Sequence, residues 1–376
     1  MEAATAFGFA LEARDGAARC GRLRTPHGEV STPAFMSVAT YGSVRGVSMD
    51  DLRRLGAQIV LANTYHLHER PGEEVVAGLG GLHGFTGWTG PWLTDSGGYQ
   101  VTSLAHRVKV AEEGITFASP LDGARRTLTP ESVVAIQEAL GPDIAMVLDE
   151  CLPPGDHEDA PRLERAMERT LRWARRAAAA RRRPDQALFG IVQGGLAEAL
   201  RRESARATAE IGFDGYAHGG LGLGEERAHR VDLVAAAQEA LPPAAPRYLM
   251  GLGRPVDLLD AIAAGVDLFD CVVPSRNARH GVIFTRQGLI HIKNARFRDD
   301  ARPLDPGDDC AFTRDVSRAY LRHLFVSGEA LGPRLATLHN LRFYLKLLED
   351  ARAAIRAGTF EAFRAALDPL LETRAD

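Results

Sequence analysis

Eight short apolar runs, separated by stretches of helical periodicity, recur from residue 34 to about 271, and nothing else in the chain limits its fold as tightly. The runs are AFMSVAT (34–40), QIVLANTYHL (58–67), WLTDSGG (92–98) and IAMVLDE (144–150), then ALFGIVQGG (187–195), FDGYAHGGL (213–221), RYLMGLG (247–253) and VDLFDC (266–271). Between them, SMDDLRRLG opens on a Ser cap and closes at Gly56. TPESVVAIQEALG has a Thr cap, a Pro in its first turn and Gly141 at its end. PRLERAMERTLRWARRAAAA, LAEALRRESARATAEIG, VDLVAAAQEAL and PVDLLDAIAAG follow the same scheme. Buried strands alternating with helices predict an α/β chain folded as a (β/α)8 TIM barrel. An open doubly wound sheet competes, but the Gly-rich phosphate fingerprint expected after its first strand is missing. The runs end in polar or Gly-rich tips at Asn63, Asp95, Asp149, Gln193, Gly220, Gly251 and Asp270. A barrel gathers such tips on one face, where its active site forms.

After residue 285 the pattern changes. FTRQGLIHIKNARFRDD predicts a β-hairpin with basic side chains, DPGDDC a tight loop, and two helices follow, the first running through residue 358. The expected division is a barrel over 1–285 that carries the active site and an appended subdomain over 286–376 whose helices complete it. No apolar run approaches the roughly 18 residues of a membrane helix, and MEAATAFGFALEARDG lacks the pattern of a signal peptide. Cys20, Cys151, Cys271 and Cys310 are scattered without a CxxC pair, which suits a reducing compartment, so the expected location is cytoplasmic. A net charge of −4 does not by itself suggest a nucleic acid, yet a local basic stripe on an acidic protein can still bind phosphates. Only three of the 45 basic residues are lysines, a bias that reflects a GC-rich genome rather than a function.

The stretch DLFDCVVPSRNARHGVIFT ends an apolar strand at Asp270 and follows it with Arg276, Arg279 and His280. A carboxylate there could attack or polarise a group attached to a phosphate chain; equally, it could cap the next turn. Asp95, in LTDSGGYQV, lies beside Gly backbone that can approach a flat ligand closely. Two carboxylates at one barrel mouth is the arrangement that breaks glycosidic bonds with retention. Asp149 and Gln193 offer hydrogen-bonding groups suited to a purine edge, and Gly219-Gly220 exposes backbone donors and acceptors. Tyr99 and Met250 could cover the two faces of a ring, or be ordinary core. Cys151 reads as a small buried hydrophobe rather than a nucleophile.

The segments LTDSGGYQV, EEGITFASPLDG, LTPESVVAIQEALGPDIAMVLDEC, GIVQGG, GGLGLGE, YLMGLGRPVDLLDAIAAGVDLFDCV and PSRNARHGVIFT resemble, in order and through nearly the whole chain, bacterial tRNA-guanine transglycosylase, the queuine tRNA-ribosyltransferase family. The resemblance implies a modified (β/α)8 barrel with a zinc-type subdomain. It implies exchange of the wobble guanine, position 34, of tRNAs with a GUN anticodon for 7-aminomethyl-7-deazaguanine, a precursor of queuosine. By the same resemblance Asp270 is the nucleophile toward the ribose C1′ and Asp95 the general acid/base. Tyr99, Asp149, Cys151, Gln193, Gly220, Leu221 and Met250 then hold the base. RNA contacts fall on Gly251, Leu252, Gly253, Arg254, Pro255, Val256 and Asp257, and on Ser275, Arg276, Asn277, Ala278 and Arg279. Implied partners are tRNA, guanine and the 7-deazaguanine base, with no membrane, and the implied assembly is a homodimer.

The chain departs from that pattern at the zinc site. Positions that would be three Cys and a His read Asp308, Cys310, Thr313 and His339. One thiolate, one imidazole and one carboxylate make a poor structural zinc shell, so no bound zinc is expected, and the chemistry itself needs no cofactor. Leu223 stands where bacterial relatives commonly have Val. These departures support the competing reading of a diverged paralogue acting on another nucleic acid or deazapurine. A non-catalytic tRNA-binding subunit is a third reading, opposed by the presence of both Asp95 and Asp270. A plain glycosidase would leave the guanine-edge groups and the arginines unexplained.

Overall fold

The computed structural model describes residues 7–104, 106–156, 159–307 and 309–374. Each of the eight apolar runs contains one strand: β1 Ala34–Val38, β2 Val60–Ala62, β3 Trp92–Thr94, β4 Ile144–Met146, β5 Ala187–Val192, β6 Gly215–His218, β7 Arg247–Leu249 and β8 Leu268–Cys271. These eight close into a parallel barrel in which β8 pairs back onto β1, with Leu268 opposite Ala34 and Asp270 opposite Met36. Apolar residues such as Met36, Leu61, Leu93, Met146 and Leu268 are buried and pack together in one core cluster, as the packed interior of such a barrel requires. The helices begin where their caps put them. Ser48 and Thr129 each form a reciprocal capping box, and Gly56 and Gly141 end the same helices in the left-handed conformation.

Two sheets were not foreseen in the sequence. Strands Gly8–Asp15, Ala18–Thr25 and Gly28–Thr32 form an antiparallel sheet ahead of the barrel. Strands His106–Val110, Ile115–Ala118 and Arg125–Leu128 form another between β3 and β4. The C-terminal part holds the expected hairpin, Val282–Thr285 with Gly288–His291, which straddles residue 285. The predicted long first helix is two, Arg318–Val326 and Leu331–Ala357, because Gly328 turns the chain with a positive φ of 74°. The second of these packs on β1 and on the helix Val273–Arg279, and a last helix, Phe360–Leu371, follows. No helix among the described residues is long and apolar enough to cross a membrane.

The end of the barrel away from the strand tips is tied together by Asp143, just before β4. Its Oδ1 accepts the His27 backbone N–H at 3.1 Å and lies 2.8 Å from His27 Nδ1, while Oδ2 accepts the Trp92 N–H at 2.9 Å and faces His83 Nε2 at 3.4 Å. Burial alone would raise the Asp143 carboxyl, yet these bonds hold it well below the usual range, and the same bond raises His27. The depressed acid contributes stability that is present above about pH 4 and lost on acidification. The raised histidine contributes stability that is complete below about pH 6.5 and fades as pH rises past its folded pKa. Asp143→Ala strands the buried Trp92 N–H and removes the partner of His27, and is expected to cost about 1–3 kcal/mol, read as a lower urea midpoint at pH 6 with activity per folded molecule retained.

Candidate active site

The strand tips meet around a cavity of about 580 Å³, lined among others by Asp95, Tyr99, Asp149, Cys151, Met250 and Asp270. Gly220, Leu221, Gly251, Leu252, Gly253, Arg254, Asp257 and Arg276 also reach its wall. Six of the eight apolar runs therefore send residues to one cavity, as a closed parallel barrel dictates.

Asp270 follows Phe269 on β8 and points to the cavity from its floor. Its Oδ1 accepts the Tyr248 hydroxyl at 2.6 Å and the Gly251 N–H at 2.7 Å. Burial raises its carboxyl, and these two donors oppose the rise by stabilising the anion. Tyr248, in turn, is pushed well above a phenol's ordinary value, first by burial and then by the Asp270 charge, so it stays a donor. Both donors fall on Oδ1.

Asp95 sits just past β3, where the turn over Asn63 and Thr64 closes around it. Asn63 Nδ2 donates to Oδ2 at 2.5 Å, Thr64 N to Oδ1 at 3.0 Å, and Gln100 Nε2 to Oδ2 at 3.2 Å. Burial nevertheless drives its pKa up to about 7, and the neighbouring Asp270 charge adds to the rise. A carboxyl that holds a proton half the time at neutral pH can both give and take one. The two carboxyl groups thus occupy different environments: Asp270 is donor-stabilised as an anion, and Asp95 is poised to carry a proton.

Asp149 is also raised, to about 6, chiefly by burial and against bonds from Gln193 and Ser96. Gln193 Nε2 donates to Asp149 Oδ2 at 2.6 Å. Gln193 itself lies one layer behind the cavity wall, close beneath Gly219 and Gly220: a Cβ on either glycine would come within 2.6 Å of its amide. Tyr99 is 48% exposed and lines the same cavity as Met250, with its ring available to lie over a flat ligand. Burial pushes the Cys151 thiol up to about 12, so it meets a ligand as a neutral group.

In the two basic segments the exposed side chains are Arg254 and Arg276, with Asn277 and Arg279 half-buried. Pro255, Val256, Ser275 and Ala278 are buried in the packing beneath them. Sequence reasoning missed Tyr248, and gave no role to Asn63, Thr64 or Gln100. It also missed Glu225, which lines the cavity, accepts from the Gly222 and Leu223 amides, and pairs with Arg230, itself paired with Asp257. Asn63 was visible as a polar strand tip; Tyr248 depends on the register between β7 and β8, and the others on how the turns and short helices beyond the strands fold.

Two groups of residues bear on metal binding. His339 Nε2 lies 2.9 Å from the Phe284 carbonyl and Nδ1 lies 3.4 Å from the Thr313 hydroxyl, so both ring nitrogens face protein atoms. Cys310 is buried with Sγ 3.9 Å from the Leu338 carbonyl, and Asp308 lies outside the described residues. With Thr where a thiolate belongs, and a hydroxyl against the imidazole, these residues do not form a closed zinc shell. Asn340 shares the load: its Oδ1 accepts Phe284 N–H at 3.0 Å, and its Nδ2 donates to the Pro274 and Val282 carbonyls at 3.0 and 2.9 Å. Apolar packing of Ile283, Ile290, Phe297, Leu321 and Leu335 does the rest. Elsewhere, His27, His83 and Asp143 bring ligand atoms within 4.8 Å of one another. Their two rings, however, stack at 3.5 Å and 20° from parallel. No point at the roughly 2 Å metal–nitrogen distance lies in both ring planes, and both carboxylate oxygens already accept backbone N–H groups. That cluster is a carboxylate tie, at the opposite end from the cavity.

Residues 15–369 match the protein family described as Queuine tRNA-ribosyltransferase. Proteins of that description from Solidesulfovibrio magneticus and Stenotrophomonas maltophilia are 53% and 55% identical to the chain. The first alignment spans 96% of this chain and 97% of the relative; the second spans 95% of each. A Thermus thermophilus relative is 53% identical over 95% of this chain and 92% of its own length.

Proposed function

The chain belongs to the queuine tRNA-ribosyltransferase family, and from that premise we propose that it is the pentosyltransferase that exchanges guanine 34 of GUN-anticodon tRNAs for 7-aminomethyl-7-deazaguanine in queuosine biosynthesis. The observation that carries the chemistry is the pair of unlike carboxyl groups in one cavity: Asp270 held as an anion by Tyr248 and Gly251, and Asp95 with a pKa raised to about 7. The target nucleotide leaves its stack to reach them. Asp270 Oδ2 attacks the ribose C1′, the glycosidic bond breaks, and its electron pair goes to the departing guanine, which takes the Asp95 proton. The incoming base then gives a proton to Asp95, its nitrogen attacks C1′, and the Asp270 ester bond breaks. One N-glycosidic bond replaces another, so the exchange needs no energy source and no cofactor.

Asp149 accepts from the guanine N1–H and N2 amino group in this reading, and the Gln193 amide and the Gly220–Leu221 backbone serve the remaining edge atoms. Tyr99 and Met250 flank the ring, with Cys151 beside it. Arg254, Arg276 and Arg279 take the phosphates on either side of the flipped nucleotide. We further read residues 1–285 as the unit that carries the site, 286–376 as the appended one, and the enzyme as cytoplasmic and homodimeric.

Incubating the protein with labelled guanine and unmodified GUN-anticodon tRNA tests the reading. Label is expected at position 34; no incorporation, or incorporation only into another nucleic acid, would overturn it. Tyr248→Phe removes one of two donors from Asp270 and is expected to lower kcat about tenfold or more, with the KM for tRNA unchanged.

A further inference from the structure

Gln193 lies directly behind the Gly219–Gly220 backbone and bonds the cavity-lining Asp149, so its depth is set by what grips the turn that carries it. That grip comes from the helix Glu198–Ile211, outside the base pocket. Arg201 is fully buried. Its Nε donates to the Gly195 carbonyl at 2.9 Å and its Nη1 to the Val192 carbonyl at 3.2 Å. Ser204, also fully buried, accepts the Gln193 backbone N–H at 3.0 Å. Gly194 sits so close to the start of this helix that a Cβ would lie 2.8 Å from the Arg201 backbone nitrogen, and its φ is +128°. The turn is therefore held on both sides of Gln193, at Val192, at Gln193 itself and at Gly195.

Burying a guanidinium is costly, and burial pulls the Arg201 pKa down to about 10. No carboxylate pairs with it among the described residues. Helix-to-strand packing alone would be served better by an apolar side chain. What Arg supplies instead is a rigid planar fork that reaches two carbonyls at once, which the single ammonium of Lys cannot reproduce. On the cavity side, the Gln193 amide meets Asp149 at 2.6 Å beneath the Gly219–Gly220 backbone.

We propose that Arg201 and Ser204 are positioning residues for base recognition, holding the Val192–Gly195 turn at the depth where the Gln193 amide serves both Asp149 and the purine edge. This rests on the reading that Asp149 and Gln193 receive the base. Neither residue approaches Asp270 or Asp95 in the hydrogen-bond network, so the effect belongs in base affinity and not in bond breaking.

Steady-state guanine exchange by the full chain tests this with Ser204→Ala, Arg201→Lys and Gln193→Ala, each first confirmed as folded by its melting curve. Ser204→Ala and Arg201→Lys are expected to raise the KM for guanine about five- to tenfold, with kcat within about threefold and the KM for tRNA unchanged. Combined with Gln193→Ala, Ser204→Ala is expected to add nothing, because its effect passes through that side chain. An equal further loss in the Gln193→Ala background, or a fall in kcat at unchanged KM, would overturn the proposal. If Gln193→Ala alone leaves the guanine KM unchanged, the base reading beneath it fails, and the proposal with it. Ser204→Ala deletes only a hydroxyl, so the test survives even if Arg201→Lys does not fold.

Discussion

Asp270→Asn is expected to lower guanine exchange by about 10⁴-fold or more and to leave no protein–RNA adduct on denaturing gels. The amide keeps the size of the carboxyl and can still accept from Tyr248 and Gly251, so the pocket is retained while the nucleophile is lost. Residual exchange within about tenfold of wild type would mean that the base leaves without covalent capture. The Tyr248 hydroxyl and Gly251 N–H, at 2.6 and 2.7 Å from one oxygen, are the donors that oppose the rise burial gives this carboxyl. In the proposed mechanism these two dipoles help to stabilise the attacking anion.

Asp95→Asn is expected to slow exchange by about 10²–10⁴-fold, because in the proposed mechanism proton transfer to the departing base and from the incoming one both pass through this carboxyl. With a pKa of about 7, wild-type turnover is expected to peak near neutrality. Guanine departure fades as pH rises through that value and base deprotonation fades below it, and the Asn variant is expected to lose both limbs. Stability moves the other way. An acid whose folded pKa is raised binds its proton more tightly in the folded chain. The stability this gives is complete below about pH 4 and is lost as pH climbs toward about 7. Asp95→Asn is therefore expected to melt above wild type at pH 8, with the gap closing near pH 4. Thermal melts at the two pH values check it; a variant that melts lower at pH 8 would mean that the Asn63 and Thr64 donors outweigh burial.

The barrel was legible because its strands are buried on both faces and appear as continuous apolar runs, each closed by a polar or Gly tip. The N-terminal sheet was not, because GFALEARD and ARCGRLRT are part-exposed strands rich in charge, whose pairing is set by neighbours rather than by their own hydrophobicity. HRVKV and RRTL were hidden for the same reason. Asp95, Asp149 and Asp270 could be picked out as acids ending apolar strands. The bond from Tyr248 to Asp270 could not, since it spans β7 and β8 and depends on Tyr248 lying opposite Leu268. The grip of Arg201 on the Gln193 turn was equally invisible: in sequence it is one of many arginines on an amphipathic helix. The zinc positions were readable as losses, while their replacement by Asn340 and a threonine–imidazole contact required the fold.

In the proposed mechanism Asp270, and no other carboxylate in the cavity, bonds to the ribose of nucleotide 34. Trapping the protein with unmodified tRNA, digesting both components and sequencing the modified peptide by mass spectrometry tests it directly. The mass of a ribose-linked nucleotide is expected on the peptide containing LFDCVV, at Asp270. The same mass on Asp95 or Asp149, or an exchange-competent enzyme that yields no modified peptide, would contradict the account.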